Sequence, residues 1–306
     1  MRDDFDIFAF FKEYPTEEAA RKYFENLRWK DGVRCPYCGG VHVSEGTRKA
    51  PMPYHCRDCR KYFSVRVGTI MQGSKLPLQK WLLATYILTT SKKGVSSVRL
   101  AEILGTTQKT AWFLAHRIRE SYKTSTEAEK LTGTVEIDEA YIGGKESNKH
   151  ASKKLRAGRG AVGKSPVVGL KSRKGEVRAF PVANVNAGTL SHAIRSNVEA
   201  GSAVYTDQLR AYRGLKEFKH RRVIHSAGEY VRGEIYTNGI ESFWALLKRG
   251  HYGVYHFWSV KHLARYINEF TARFNARELP LRERVRLSVE NGFGKRLTYG
   301  GLTRAA

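Results

Sequence analysis

Acidic side chains are scarce in this 306-residue chain: 29 Asp and Glu stand against 54 Lys and Arg, a formal net charge of +25. An imbalance of that size repels itself in a compact fold unless a polyanion relieves it. Phosphate backbone is the usual partner, although a ribosomal or anionic membrane surface also fits the charge. The deficit is uneven, because residues 1–30 hold six basic and seven acidic side chains and the remainder carries all of the excess. Long apolar runs are missing too. The longest, WLLATYIL at 81–88, falls far short of the roughly 20 residues that a membrane-spanning helix needs. The opening MRDDFDIF is acidic and lacks the apolar region of a secretory leader. A cytoplasmic, nucleoid-associated protein with no membrane contact is therefore expected. Internal repeats are absent, and low complexity is confined to one basic loop. Core-forming residues are plentiful: 41% hydrophobic and 11% aromatic residues exclude a disordered chain. The length suits two or three compact units.

Cysteine is nearly missing. All four lie between 35 and 59, as Cys35-Pro-Tyr-Cys38 and Cys56-Arg-Asp-Cys59. In a reducing compartment this argues against disulfides. Each Cys-x-x-Cys turn presents two thiolates in one tight loop, and a connecting hairpin brings the two loops together. The expected product is a closed, structural, tetrahedral sulfur site holding one Zn²⁺, as in a zinc ribbon. His42 and His55 lie nearby but exceed the ligand count. Redox pairs are the competing reading, but neither pair opens a helix beside a strand.

The chain divides by texture into an N-terminal helical segment (1–30), the ribbon (31–70), a helix-turn-helix-like DNA-binding region (75–125), an α/β domain (130–280) and a C-terminal tail (281–306). Thr16, followed by Glu17 and Glu18, starts a helix in which Ala20, Tyr23, Phe24 and Leu27 recur at helical spacing. In the third segment, LAEILG stops at a glycine turn. A second helix then runs from about Thr107 with Ala111, Leu114, Ala115 and Ile118 on one face. Small residues let two such helices cross closely, leaving Gln108, Lys109 and Thr110 on the exposed end of a recognition helix. From Gly133 the pattern changes to short β-rich runs. GTVEIDEAYIGG reads as a strand, PVVGLKS and GEVRAFPVANV as a hairpin, AGTLSHAIRSNVEA as a helix and SAVYTD as a strand, with RRVIHSAGEYV as one further strand. A mixed sheet in an α/β layer follows. Between the first strand and the hairpin, residues 145–164 carry Lys145, Lys149, Lys153, Lys154, Arg156, Arg159 and Lys164 against Glu146 alone.

The stretch IYTNGIESFWALLKRG (235–250) combines a core stripe of Ile240, Phe243, Trp244 and Leu247 with Glu241 and Lys248 stacked on a neighbouring flank. Its bland reading is a capping box, with Asn238 as the cap and Glu241 three residues on. Asp138 and Asp207 have bland readings as well, as turn former and helix cap. Jointly they say more. Asp138 and Asp207 each end a strand of one sheet, and Glu241 begins a helix that must pack on that sheet. Carboxylates gathered at a sheet edge are what two Mg²⁺ (or Mn²⁺) ions need for phosphodiester chemistry.

The ribbon, the helix-turn-helix-like segment, VEIDEAYIGGK, VYTDQLRAY and TNGIESFWALLKRGHYGVYHF together resemble bacterial insertion-sequence transposases of the zinc-ribbon-bearing DDE class, over roughly residues 10–290. The resemblance implies an RNase H-like catalytic domain with Asp138 and Asp207 as the first two metal-binding carboxylates. For the third, both Asn238 and Glu241 are available. Glu241 is favoured because Lys248 follows it in a Glu-x6-Lys/Arg spacing, where it would hold the DNA backbone near the scissile phosphate. If Asn238 is the ligand, Glu241 reverts to capping. The expected activity is cleavage at the terminal inverted repeats of the element, freeing a 3′-OH, then strand transfer of that end into target DNA. Lys153, Lys154, Arg156, Arg159 and Arg249 would contact phosphates of double-stranded DNA, and a homodimer or higher oligomer follows from the need to join two ends. Three rivals stand beside this: a non-enzymatic zinc-ribbon regulator, a recombinase with a covalent tyrosine, for which no Arg-clustered signature exists, and an RNase H-like nuclease that cuts without joining.

Overall fold

The computed structural model describes residues 5–46, 51–123, 129–144, 146–155, 161–173, 175–222 and 236–304. Contacts divide the chain into two compact units, Met1–Lys123 with Glu278–Ala306, and Thr124–Arg277.

The first unit begins with helices α1 (Ile7–Glu13) and α2 (Glu17–Arg28), capped by Asp6 and Thr16, whose side chains accept the backbone N–H of Ala9 and Ala19. Both caps satisfy N–H groups that a helix start cannot pair internally. Strands β1 (Val43–Glu45), β2 (Tyr54–Cys56) and β3 (Tyr62–Phe63) form a small antiparallel sheet. Next come α3 (Leu78–Thr90), α4 (Ser97–Leu104) and α5 (Gln108–Ser121). Helix α3 carries the WLLATYIL run and is buried nearly all round, so its apolar character reflects a central position in the helical core. Helix α4 ends at Gly105, whose φ of 56° is the left-handed conformation that closes such ends, and Thr107 caps α5. The Ala111, Leu114, Ala115 and Ile118 face of α5 is buried, as its spacing predicts.

The closing residues, set apart as a tail by chain order, return to this unit. Helix α9 (Leu281–Glu290) buries Val285 and Val289 against the α1–α5 core, and α10 (Tyr299–Thr303) brings the Tyr299 ring against Phe113 at 5.4 Å.

The second unit is the expected α/β layer with an RNase H-like mixed sheet. Its strands are β4 (Thr134–Ile142), β5 (Ser165–Ser172), β6 (Val177–Pro181), β7 (Ala203–Thr206) and β8 (Lys219–Arg222), ordered β6-β5-β4-β7-β8. Strands β4, β5 and β6 pair antiparallel, whereas β7 and β8 add parallel to β4 and to each other. Helix α6 (Ala187–Asn197) makes the crossover from β6 to β7, the long connection that a parallel pairing requires. One sheet face packs on α6 through Val135, Ile137, Val168 and Leu170. The other packs on α7 (Asn238–Gly250) and α8 (Val260–Asn275) through Ala140, Ile142, Val167 and Val177. The alternation along β4 therefore sends odd residues to α6 and even residues to α7. Strand β8 (Lys219–Arg222) starts two residues before the expected RRVIHSAGEYV and shares its first two residues, Arg221 and Arg222; the rest of that segment lies outside the described residues.

Candidate active site and metal centres

In the ribbon, each Cys-x-x-Cys turn closes in the same way. Cys35 N–H donates to the Gly40 carbonyl at 2.9 Å and Cys56 N–H to the Lys61 carbonyl at 3.0 Å, five residues on in both cases. The residue after each second cysteine is left-handed, Gly39 at φ 76° and Arg60 at φ 58°. The turns bring the sulfurs together: Cys35 Sγ to Cys59 Sγ is 3.6 Å, Cys38 Sγ to Cys56 Sγ is 3.7 Å, and all four lie within 4.8 Å of one another. A tetrahedral Zn²⁺ with Zn–S near 2.3 Å requires S···S of about 3.8 Å, so the spacing fits. Burial pushes the Cys35 thiol up, but the backbone N–H groups of Tyr37 and Cys38 and the adjoining sulfurs outweigh it and hold its pKa at about 7. The four cysteines form a zinc-binding site, with every ligand position filled by the chain. His42 stands outside it, exposed and hydrogen-bonded to Asp58 Oδ1 at 2.8 Å.

The carboxylates converge by sheet register. Parallel pairing runs Thr134↔Ala203, Val135↔Val204 and Glu136↔Tyr205, and two steps further it sets Asp138 beside Asp207, just past the end of β7. Because β7 stops at Thr206, the edge of β4 is open there, and Glu139 reaches the same place from the other sheet face. Oxygens of Asp138, Glu139 and Asp207 all lie within 4.8 Å of one another. Sequence patterning did not single out Glu139, because a strand's alternation assigns neighbours to opposite faces. Only the missing partner strand lets two consecutive carboxylates share a site.

Each carboxylate is held. Asp207 Oδ1 accepts the Leu209 N–H at 2.9 Å, and Glu139 Oε2 accepts the buried Tyr212 hydroxyl at 2.7 Å. Asp138 Oδ2 accepts Trp244 Nε1–H at 3.1 Å. Trp244 belongs to the core stripe of α7 and is 3% exposed. It reaches Asp138 because Gly169, the β5 residue paired with Asp138, has no side chain; a Cβ there would come within 2.5 Å of the indole. Burial first, then repulsion from Glu139, Asp207 and Glu241, pushes Asp138 up to about 7. Burial likewise raises Glu139. Half-buried carboxylates crowded at one sheet edge, offering only oxygen donors, form a hard-cation donor set whose mutual repulsion a divalent ion would relieve.

Helix α7 does not start with the capping box that was the bland reading of this stretch. Thr237 is the N-cap, Asn238 is the first helical residue, and Glu241 Oε1 accepts the Thr237 hydroxyl at 3.1 Å. The helix N–H groups go instead to Glu136, two residues before Asp138 on β4: its Oε2 accepts the Ile240 N–H at 2.9 Å. Glu136 is 1% exposed, and a Cβ at Gly239 would come within 2.6 Å of its carboxylate. One strand thus presents both a carboxylate of the cluster and the carboxylate that seats the neighbouring helix N-terminus. Glu241 is exposed and lies outside the three-carboxylate cluster while contributing to the rise of Asp138; Asn238 and Lys248 are exposed on the same helix.

Of the expected DNA contacts, Lys109, Lys153, Lys154 and Arg249 are exposed. Gln108 donates to Ser97 Oγ at 2.8 Å, and Thr110 Oγ1 lies 2.9 Å from Thr107 Oγ1, so both also tie the start of α5 to its surroundings. Lys145, Arg156 and Arg159 lie outside the described residues. Among the described residues no helix is long and apolar enough to cross a membrane.

Comparison with known proteins finds a match for each of the two segments that hold these clusters. Residues 15–62 match the transposase zinc-ribbon domain, and residues 130–275 match the ISXO2-like transposase domain. An uncharacterized protein in transposable element ISH50 of Halobacterium salinarum is 29% identical over 295 residues, covering 91% of this chain and 98% of that one. Both domains imply DNA binding. With the sulfur site in the first matched segment and the carboxylates in the second, the chain belongs to the insertion-sequence transposases that carry a zinc ribbon ahead of a DDE domain.

Proposed function

We propose that this chain is a metal-dependent DNA transposase that binds the terminal inverted repeats of its element, cleaves at the 3′ ends and transfers them to target DNA. The observation that carries this reading is the register that sets Asp138 beside Asp207 at the open edge of β4, within 4.8 Å of Glu139. Asp138 and Asp207 would hold two divalent cations, Mg²⁺ or Mn²⁺, with Glu241 completing the set from α7. Bound there, the ions supply Lewis-acid activation of the attacking oxygen and stabilisation of the leaving one. The chain's own groups do the positioning. Trp244 fixes the Asp138 carboxylate, Tyr212 fixes Glu139, and the Leu209 N–H fixes Asp207. Lys248, seven residues beyond Glu241 on the same helix, would hold the phosphate backbone near the scissile bond. Lys153, Lys154 and Arg249 would add contacts that do not read sequence, and the ribbon with α4–α5 would recognise the element end. Joining two ends requires two active sites, so a homodimer on DNA is part of the proposal.

The test is to incubate end-labelled element-terminus DNA with wild type and with Asp207→Asn in Mg²⁺ and in Mn²⁺, and to score 3′ nicks and strand-transfer products. Wild type is expected to give both and the variant neither. Equal products from the two proteins remove Asp207 from the reaction, and nicks without joining turn the enzyme into a nuclease.

A further inference from the structure

Beyond the end of α7 the backbone breaks regularity twice within seven residues. His251–Tyr255 forms a π-helical turn, and His256 adopts φ 59°, one of only two non-glycine residues with positive φ among the described residues. π turns and left-handed non-glycine residues both cost free energy and concentrate where a side chain must be presented in a particular way. Here the irregular backbone sorts the aromatics. Trp258 is buried, stacked 4.9 Å from Tyr266, and Tyr255 donates its hydroxyl to the buried Glu269 at 2.9 Å. Two rings are turned out instead: Tyr252 is 48% exposed and Phe257 is 73% exposed. Of the aromatics in this region, then, it is these two that can meet a nucleic-acid base.

The charge around them is of one sign. From residue 242 to 268 the sequence contains no Asp or Glu and four Lys or Arg, with Lys248 and Arg249 exposed one turn before Tyr252. Position matters equally. Trp244, which touches Asp138, precedes Tyr252 by eight residues, roughly 12 Å along a helix, about the length of three to four stacked nucleotides. Exposed rings flanked by cations suit single-stranded nucleic acid, whose bases stack on aromatic faces while the phosphates meet positive charge. A face built for a second protein copy would not need so one-sided a charge.

We propose that Tyr252 and Phe257 form a stacking platform for unpaired bases of the DNA strand leaving the carboxylate site, with Lys248 and Arg249 on its phosphates. This rests on the transposase reading for its place in the reaction, but its test does not require catalysis. The full-length zinc-loaded protein, in Mg²⁺-free buffer, is titrated against a fluorescein-labelled twelve-nucleotide dT strand carrying one internal 2-aminopurine, and against a twelve-base-pair duplex. Wild type should bind the single strand and quench the 2-aminopurine. Tyr252→Ala and Phe257→Ala should each weaken single-strand binding about 5- to 100-fold, the range for losing one stacked base, and leave the duplex Kd within about twofold. Phe257→Leu keeps an exposed apolar side chain without a ring and should behave like the alanine variant. The proposal fails if Phe257→Leu binds like wild type, if wild type ignores the single strand, or if the two alanine variants instead abolish self-association in sedimentation with strand binding intact. Loss of nicking by wild type with strand binding preserved would count against the transposase mechanism and leave the platform standing.

Discussion

The sulfur site and the carboxylate site are assembled by opposite means. In the ribbon, two ligands come from each four-residue turn, and both turns close by the same hydrogen bond to a carbonyl five residues on. Only one long-range juxtaposition is needed, turn against turn, and β2 links directly into the second turn. At the sheet edge no two aspartates are local. Asp138 and Asp207 meet because two parallel strands pair in one register, and a slip of one residue would turn either carboxylate to the wrong face. Redundancy of local geometry makes the first site a fixed staple. Dependence on register makes the second a readout of the whole domain's folding.

The largest predicted effect tests the staple. Structural zinc is worth about 10–16 kcal/mol in small zinc-binding peptides, more than the three short strands of the ribbon supply themselves. Cys56→Ser, or removal of zinc by a strong chelator, is therefore expected to abolish hydrogen-exchange protection at β1–β3. Protection of β4 and β5 should be unchanged, because their ladder draws on no sulfur ligand. If protection in β4 collapses with the ribbon, the two sites are energetically one rather than independently assembled.

Asp138→Asn tests the register site, with an effect of roughly 10³-fold or more on strand cleavage, the several kcal/mol that a metal ligand contributes to transition-state stabilisation. The same variant should be more stable than wild type in metal-free buffer, and pH exposes why. Folding raises the Asp138 pKa from 3.8 to about 7, so the fold prefers the protonated acid. That preference is fully present below about pH 4 and is lost as pH rises through about 7, above which wild type carries the whole cost of a buried anion. Asparagine cannot ionise. The stability difference between variant and wild type should accordingly grow from pH 4 to pH 7 by roughly 2–4 kcal/mol and then level off. Added Mn²⁺ should reverse its sign. Thermal melts across pH with and without the ion measure both. A difference flat with pH would mean that Asp138 stays solvated.

How far each region could be read in advance follows from the same contrast. Each Cys-x-x-Cys pair, the Thr16 and Thr107 caps, the β5–β6 hairpin and the buried face of α5 are all specified by residues close to one another in sequence. Asp207 was legible as a strand end, because SAVYTD carries the β pattern up to it. Asp138, expected to end its strand as well, sits instead in the middle of β4, which pairs with β5 through to Ile142; what ends beside it is the partner strand β7. Glu136 was not legible. Its partner is a helix N-terminus 104 residues away, and the nearby Asn238 and Glu241 offered a local capping pattern that the fold does not adopt. Strand β8 was placed late because Lys-His-Arg-Arg at an exposed sheet edge shows no alternation, the charge serving to blunt the edge. The third position was not fixed by local pattern either, since Asn238 and Glu241 stand three residues apart on the same helix start. In the fold Glu241 accepts the Thr237 hydroxyl on an exposed helix flank, outside the cluster of Asp138, Glu139 and Asp207.

The smallest predicted effect is the sharpest test of register as a mechanism. Trp244→Phe keeps an aromatic ring in the α7 stripe but removes the N–H that holds Asp138 Oδ2 at 3.1 Å. Partners behind a metal ligand typically matter 10- to 100-fold, so cleavage should fall about tenfold at saturating Mg²⁺, and the Mg²⁺ needed for half-maximal rate should rise. The smaller ring also leaves space beneath it, which alone would lower stability. Ile240→Val supplies the control, since Ile240 lies in the same stripe and packs over the same Gly169 but donates nothing to Asp138. It should cost about 0.5–1.5 kcal/mol of stability without moving the Mg²⁺ dependence. If both variants shift that dependence alike, Trp244 acts through packing alone. If only Trp244→Phe shifts it, the glycine at 169, the indole above it and the carboxylate across the strand work as one positioning unit.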